Sequence, residues 1–135
     1  VADLSEARLV EVNMQDAKCV KANLGGASLI DSNLFQVDLS RASLLGANLS
    51  RSRLNGADLS ESNLSNATLN DADLSNANLS KADLRGASFF STNLSNANLS
   101  GANLQNTNLN KARYTASTVW PDDFDPQAAE AVLVQ

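Results

Sequence analysis

The 135-residue chain contains no histidine, one cysteine (Cys19), two prolines and six aromatic side chains. Each shortage removes a class of chemistry. Without histidine there is no Ser-His or Cys-His nucleophile pair, and a lone thiol without histidine cannot assemble a zinc site. A single cysteine also rules out an intrachain disulfide, so the redox compartment is left open. No stretch reaches the roughly 18 apolar residues of a membrane span, and Val1–Val10 lacks the basic-then-apolar order of a signal peptide. These features favour a soluble, cytoplasmic protein, with a processed lumenal or periplasmic form as the alternative. The start at Val1 fits a processed mature form, a trimmed product or one domain of a longer protein.

What is present is a period. From Ala2 to Ala116 the chain repeats every five residues, 23 times, without an insertion. Every fifth residue from Leu4 is Leu at 19 of 23 sites, the others being Met14, Cys19, Phe89 and Tyr114. Two residues earlier stands Ala at 16 sites, with Val12, Val37, Ser32, Ser52, Ser62, Thr92 and Thr107 at the rest. Asn, Asp and Ser dominate the intervening positions. A period of five fits neither the 3.6 of a helix nor the 2.0 of a strand, so neither element holds all 23 apolar sites on one side. A short extended segment followed by a right-angled turn does, because the Leu and the Ala two before it then point inward together. Asn and Asp are poor in strands and good at corners, and stacked Asn side chains can pair from coil to coil. Gly26, Gly46, Gly56, Gly86 and Gly101, each two residues after a core site, fit a corner with positive φ better than a phosphate loop.

The segments Ala57-Asp58-Leu59-Ser60-Glu61, Ala77-Asn78-Leu79-Ser80-Lys81 and Ala97-Asn98-Leu99-Ser100-Gly101 resemble the pentapeptide-repeat family, and the match spans 115 residues. The resemblance implies an all-β fold, a right-handed quadrilateral parallel β-helix of about six coils. The four-sided count comes from the family, since spacing alone admits three or five sides. At about 4.8 Å per coil the rod would be roughly 28 Å long. The family is abundant in cyanobacteria, and the Leu-type repeat with its Trp120-Pro121…Phe124-Asp125-Pro126 segment resembles those members.

The period fails after Ala116. Residues 1–118 read as the repeat rod and 119–135 as a C-terminal cap. Asp125 before Pro126 is a helix-start signal, so a short capping α-helix is expected over about 126–134. Trp120, Phe124, Ala129, Val132 and Leu133 would then cover the last open coil. No comparable cap precedes Ala2.

Residues 20 apart stack in a four-sided coil, which places Asp38 over Asp58 as a nominal carboxylate pair. Both occupy the position where the repeat routinely carries Asp or Asn, and no other polar type converges on them. Cys19 takes a core site and reads as packing. No catalytic, cofactor-binding or metal site is expected, and a polysaccharide-acting β-helix enzyme is the remote alternative. Calcium-binding rolls need Gly- and Asp-rich nonapeptides and ice-binding faces need Thr ladders; here Thr68, Thr92, Thr107, Thr115 and Thr118 are scattered.

Some family members imitate DNA and bind type II topoisomerases. The net charge of −5 suits that role, but Asp122, Asp123, Asp125 and Glu130 lie in the cap and leave the repeats nearly neutral. The columns also mix signs, with Lys21, Arg41, Glu61 and Lys81 on one edge and Arg53 over Asp73 on another, whereas a duplex mimic needs one sign. A basic face for nucleic acid is missing as well. The expected function is therefore a non-enzymatic scaffold or protein-interaction module without cofactors, acting on a protein partner or by self-association, and on neither nucleic acid nor membrane. The candidate surface lies toward the N-terminal end. There Val10, Val20, Ile30, Phe35 and Leu45 occupy the site just after a core residue, where polar residues are the rule. They fall on different sides and form a collar.

Overall fold

The computed structural model describes all 135 residues as one continuous coil. Parallel bridges join residues 20 apart, from Asp3↔Asn23 through Asn93↔Arg113, so each coil has four sides of five residues. Three- and five-sided coils are thereby eliminated. The core columns define four faces. Face 1 carries Leu4 and its equivalents to Leu104, face 2 Leu9 to Leu109, face 3 Met14 to Tyr114, and face 4 Cys19 to Leu99. From Ala22 onward the inward Leu and Ala sites are buried almost without exception, in a single core that runs the length of the rod.

The residue choice follows from where each main-chain N–H goes. In the repeat around Leu59, Ala57 N–H bonds Leu54 O at 2.9 Å and closes the preceding corner, while Asp58 N–H bonds Val37 O one coil below at 2.9 Å. Leu59 N–H and Glu61 N–H bond Asn78 O and Ser80 O one coil above, at 2.7 and 2.9 Å. Only Ser60 N–H lacks a ladder partner, and the Asp58 carboxylate accepts it at 3.0 Å. This is why Asn or Asp recurs before the core residue: its side chain supplies the acceptor that the ladder cannot. The expected pairing of stacked Asn between coils occurs at Asn33 and Asn13, 3.2 Å, but the local bond is the rule.

Each corner is a turn in which the core residue's C=O accepts the N–H three residues on, with positive φ at the third residue. This is type II geometry. Positive φ occurs at all 22 such corners from Glu6 to Lys111, 17 of them non-glycine. The corner glycines were legible as such in the sequence, but most corners hold the same conformation without one. An L-residue there costs on the order of 1–2 kcal/mol, offset by the two ladder bonds and the turn bond around it. Gly46 isolates that cost, because a Cβ built on it meets nothing within 4 Å. We expect Gly46→Ala to destabilise by about 1 kcal/mol, and Arg41→Gly, at φ 57°, to be neutral or slightly stabilising. Urea midpoints check this; equal shifts in both variants would remove backbone strain as the cause.

The buried hydroxyls at Ala sites are satisfied by core carbonyls: Thr92 Oγ1 donates to Leu69 O at 2.7 Å and Ser62 Oγ to Leu59 O at 2.6 Å. Thr118 Oγ1 does the same to Leu94 O at 2.9 Å. That last bond marks a change of register, since Asn98 bridges Val119, 21 residues away. One residue is gained after Tyr114, which puts Thr118 in the Ala role and Trp120 level with Leu99.

The expected capping helix is absent. Asp125 does accept the N–H of Gln127 and Ala128 at 3.0 and 3.2 Å, but a single turn follows, ending at Glu130 with φ 66°. The chain then rejoins the ladder. Strand β1, Arg113–Tyr114, pairs in parallel with strand β2, Val132–Leu133. Lys111 N–H bonds Glu130 O, Val132 N–H bonds Ala112 O and Val134 N–H bonds Tyr114 O, at 3.0, 2.7 and 2.8 Å. A nine-residue helix is marginal by itself, and β-branched Val132 and Val134 suit the open edge of the last coil. Trp120, Phe124 and Ala129 pack on the core end. Val132 and Leu133 do not; they are 46% and 51% exposed, and Ala131 is the buried residue of that segment.

Candidate functional site

The five collar residues occupy the second position of their corners. Val10, Val20 and Leu45 are 50%, 37% and 48% exposed, while Ile30 and Phe35 are half-buried. Val10 lies beneath Ile30 on face 2, where Glu11 N–H bonds Ile30 O at 2.9 Å. Val20, Phe35 and Leu45 stand on faces 4, 3 and 1. Below them the first coil is uncovered, and Leu4, Leu9, Met14 and Cys19 are only partly buried. A signal missed in the sequence connects four of the five. Val10, Val20, Ile30 and Leu45 each follow a corner whose acceptor position holds Arg8, Lys18, Ser28 or Ser43 in place of Asn or Asp. Phe35 differs, since Asn33 accepts its N–H at 3.1 Å. A second apolar group, Val119, Val132 and Leu133 at the C-terminal end, was also missed. It is displaced from the repeat register by the residue gained after Tyr114.

Asp38 and Asp58 do stack, and each accepts both the N–H and the hydroxyl of its own corner serine, Ser40 or Ser60. The Ser40 hydroxyl and N–H hold the Asp38 carboxyl below the usual carboxylate range, with Lys18 and Arg41 adding to it. Carboxylates so engaged serve as corner acceptors. Burial, and then the charge of Asp38, push the Cys19 thiol up, which suits packing rather than nucleophilic attack. Arg51 forms a two-bond ion pair with Asp31 across one coil, at 2.8 and 3.2 Å. Arg85 pairs with Asp83 within its own corner at 2.6 Å. Arg53 lies over Asp73 in the ladder, but the two do not form an ion pair. Both observed pairs are exposed and contribute little to stability.

No cluster of three or more acidic or cysteine side chains is placed to hold a metal. The one concavity lies at the register change, lined by Ser95, Asn96, Thr115–Ser117 and Leu133–Gln135. Its polar groups are engaged with one another, Thr115 Oγ1 donating to Asn96 Oδ1 at 2.8 Å and accepting Asn96 N–H at 3.0 Å. In the cap, Trp120 meets Tyr114 edge-on at 5.4 Å and stacks on Phe124 at 5.2 Å. No helix is long and apolar enough to cross a membrane.

The family model of pentapeptide repeats matches in eight copies, over residues 2–29, 17–56, 32–71, 52–89, 67–106 and 91–113. Among solved structures, the pentapeptide repeat protein alr5209 of Nostoc PCC 7120 is 41% identical, with 72% of this chain and 84% of that one covered and a TM-score of 0.54. HetL of Nostoc sp. PCC 7120, a pentapeptide repeat protein involved in the regulation of heterocyst differentiation, is 31% identical over 91% of this chain and 65% of its own, with a TM-score of 0.56. A trypsin-treated form of QnrB1, a plasmid-mediated fluoroquinolone resistance protein, shares the fold at a TM-score of 0.59 and 19% identity, over 98% of this chain and 77% of that one. No curated protein sequence matches. The 20-residue ladder and these neighbours together identify the coil as the right-handed quadrilateral β-helix of such proteins, and the chain belongs to the pentapeptide repeat family.

Proposed function

We propose that this protein is a non-enzymatic scaffold that binds another protein, or a second copy of itself, through the apolar collar toward its N-terminal end. The observation that carries this reading is the exposure of Val10, Val20 and Leu45 around a first coil whose own core residues are partly exposed. Contiguous apolar surface of this kind is generally covered in soluble proteins. Rigidity supports the reading too: with the N–H groups of each repeat bonded in the ladder or the corner, a partner orders little on binding and loses little entropy. The likeness to HetL, a protein with a regulatory role, is in keeping with it. Sedimentation of the wild type against the combined Val10→Ser, Ile30→Ser and Phe35→Ser variant is the test. We expect self-association or partner binding in the wild type and its loss in the variant; a monomeric wild type together with unchanged partner binding in the variant would overturn the reading.

The observed columns do not suit a DNA mimic. Face 4 runs Lys18, Asp38, Asp58, Asn78, and its edge Lys21, Arg41, Glu61, Lys81, so the sign alternates within about two coils. We expect no inhibition of type II topoisomerase supercoiling at micromolar protein. Potent inhibition that weakens with salt would contradict this.

A further inference from the structure

Face 2 differs from the other three in how its corners are satisfied. In most corners Asn or Asp accepts the N–H two residues on, as Asn48 does for Ser50 and Asn108 for Asn110, both at 3.0 Å. Elsewhere on face 2 the acceptor position holds Arg8, Ser28, Thr68 and Ser88. The N–H groups of Val10, Ile30, Asn70 and Phe90 consequently have no acceptor within the protein. Each of the other faces has a single such donor, at Leu45, Asn55 and Val20.

Two further properties coincide there. Face 2 carries no acidic side chain in its outward columns, whereas face 1 has Asp3 and Asp83, face 3 Asp73, and face 4 Asp38 and Asp58. Cations stand at both ends: Arg8 at one, and at the other Lys111, whose Nζ lies 5.6 Å over the Phe90 ring. Of the acids on the neighbouring corner, Asp31 is already held by Arg51 at 2.8 Å. The side chains beside three of the four free donors are apolar: Val10, Ile30 and Phe90. A surface of unmet N–H donors, apolar side chains and flanking cations is complementary to acceptors borne on an acidic segment.

The donors come in two adjacent-coil pairs, Val10 with Ile30 and Asn70 with Phe90, each pair about 4.8 Å apart along the rod. Carboxylates three residues apart on a helix are separated by about 4.5 Å along its axis. We propose that face 2 docks an acidic helical segment of a partner protein, whose carboxylates take the place of the missing Asn and Asp acceptors at Ile30 and Phe90. This rests on the scaffold reading above and assigns it a face and a partner chemistry.

The probe is an alanine-based helical peptide with Asp residues three apart, titrated into the isotope-labelled full chain and followed by amide NMR shifts. We expect shifts centred on Val10, Ile30, Asn70 and Phe90, with the internally bonded Ser50 and Asn110 amides moving little, and no binding by the same peptide with Lys for Asp. The variant Ser28→Asn with Ser88→Asn restores the internal acceptor without changing charge, using a residue the repeat already tolerates there. It should melt like the wild type and bind about tenfold more weakly, whereas Ser43→Asn on face 1 should bind within about twofold of the wild type. Absence of binding, shifts spread over all faces, or undiminished affinity in the double variant would each overturn the proposal. Because that variant keeps the collar intact, its outcome is separable from the collar test.

Discussion

Ala77→Leu is expected to destabilise the rod by about 1–3 kcal/mol or more, while Leu79→Met, two residues away, costs about 1.5 kcal/mol or less. Both residues are buried at 1% and 0% exposure. The difference lies in the space each commands. Ala77 stacks between Ala57 and Ala97, both fully buried. Asn78 N–H to Ala57 O at 2.9 Å and Asn98 N–H to Ala77 O at 3.0 Å fix the separation of those coils. Added methylenes at position 77 can be accommodated only by breaking ladder bonds or displacing Leu79. Methionine at position 79 keeps the volume of leucine and bends to fit. Ala77→Thr discriminates volume from polarity, since Thr92 occupies an equivalent site with its hydroxyl on Leu69 O at 2.7 Å; it should cost less than Ala77→Leu. Thermal and urea melts of the three variants give the order. Ala77→Leu melting with the wild type would mean that position 77 does not face a filled interior.

The inward assignment of Leu and Ala was legible in the sequence because 23 repeats leave no other way to gather them on one side. The number of sides was not. A period of five constrains the corner and says nothing about how many corners close a coil; that is settled by which strand each N–H reaches, a long-range choice visible only in the ladder. Asn and Asp were assigned to corners correctly, but their main task, accepting the one N–H that the ladder leaves over, depends on counting bonds in three dimensions. The failure at residues 126–134 has a different origin. Asp125 and Pro126 carry a true local signal for a helical turn. Local signals do not register an unpaired strand edge at Arg113–Tyr114, which gives Val132 and Leu133 a ladder to join. The collar was found as an exception to the polar rule, and the reason most of its members share, a missing acceptor two residues earlier, was present in the sequence but unread.

Trp120→Ala should lower stability by about 3 kcal/mol, the lower end for loss of a large aromatic, because the ring is only partly buried. The loss should begin at one end of the molecule. In a stacked solenoid each coil contacts only its neighbours, so damage to a terminal layer opens that layer first. Trp120 bridges Tyr114 and Phe124, with ring centroids 5.4 and 5.2 Å away. Without it, Phe124 and the turn at 126–130 lose their anchor on the core. The amides whose acceptors belong to the last layer are Leu99, bonded to Val119 O at 2.6 Å, and Lys111, bonded to Glu130 O at 3.0 Å. Their hydrogen exchange should quicken well before that of Leu44, bonded to Asn63 O at 2.7 Å in the middle of the rod. The indole N–H adds a second discrimination, since Nε1 is buried without a hydrogen-bond partner. Trp120→Phe removes that unsatisfied donor and keeps an aromatic ring, so it should cost clearly less than Trp120→Ala. Uniform loss of protection along the rod in Trp120→Ala, or unchanged exchange at Leu99 and Lys111, would show that the aromatic cluster does not hold the last coil closed.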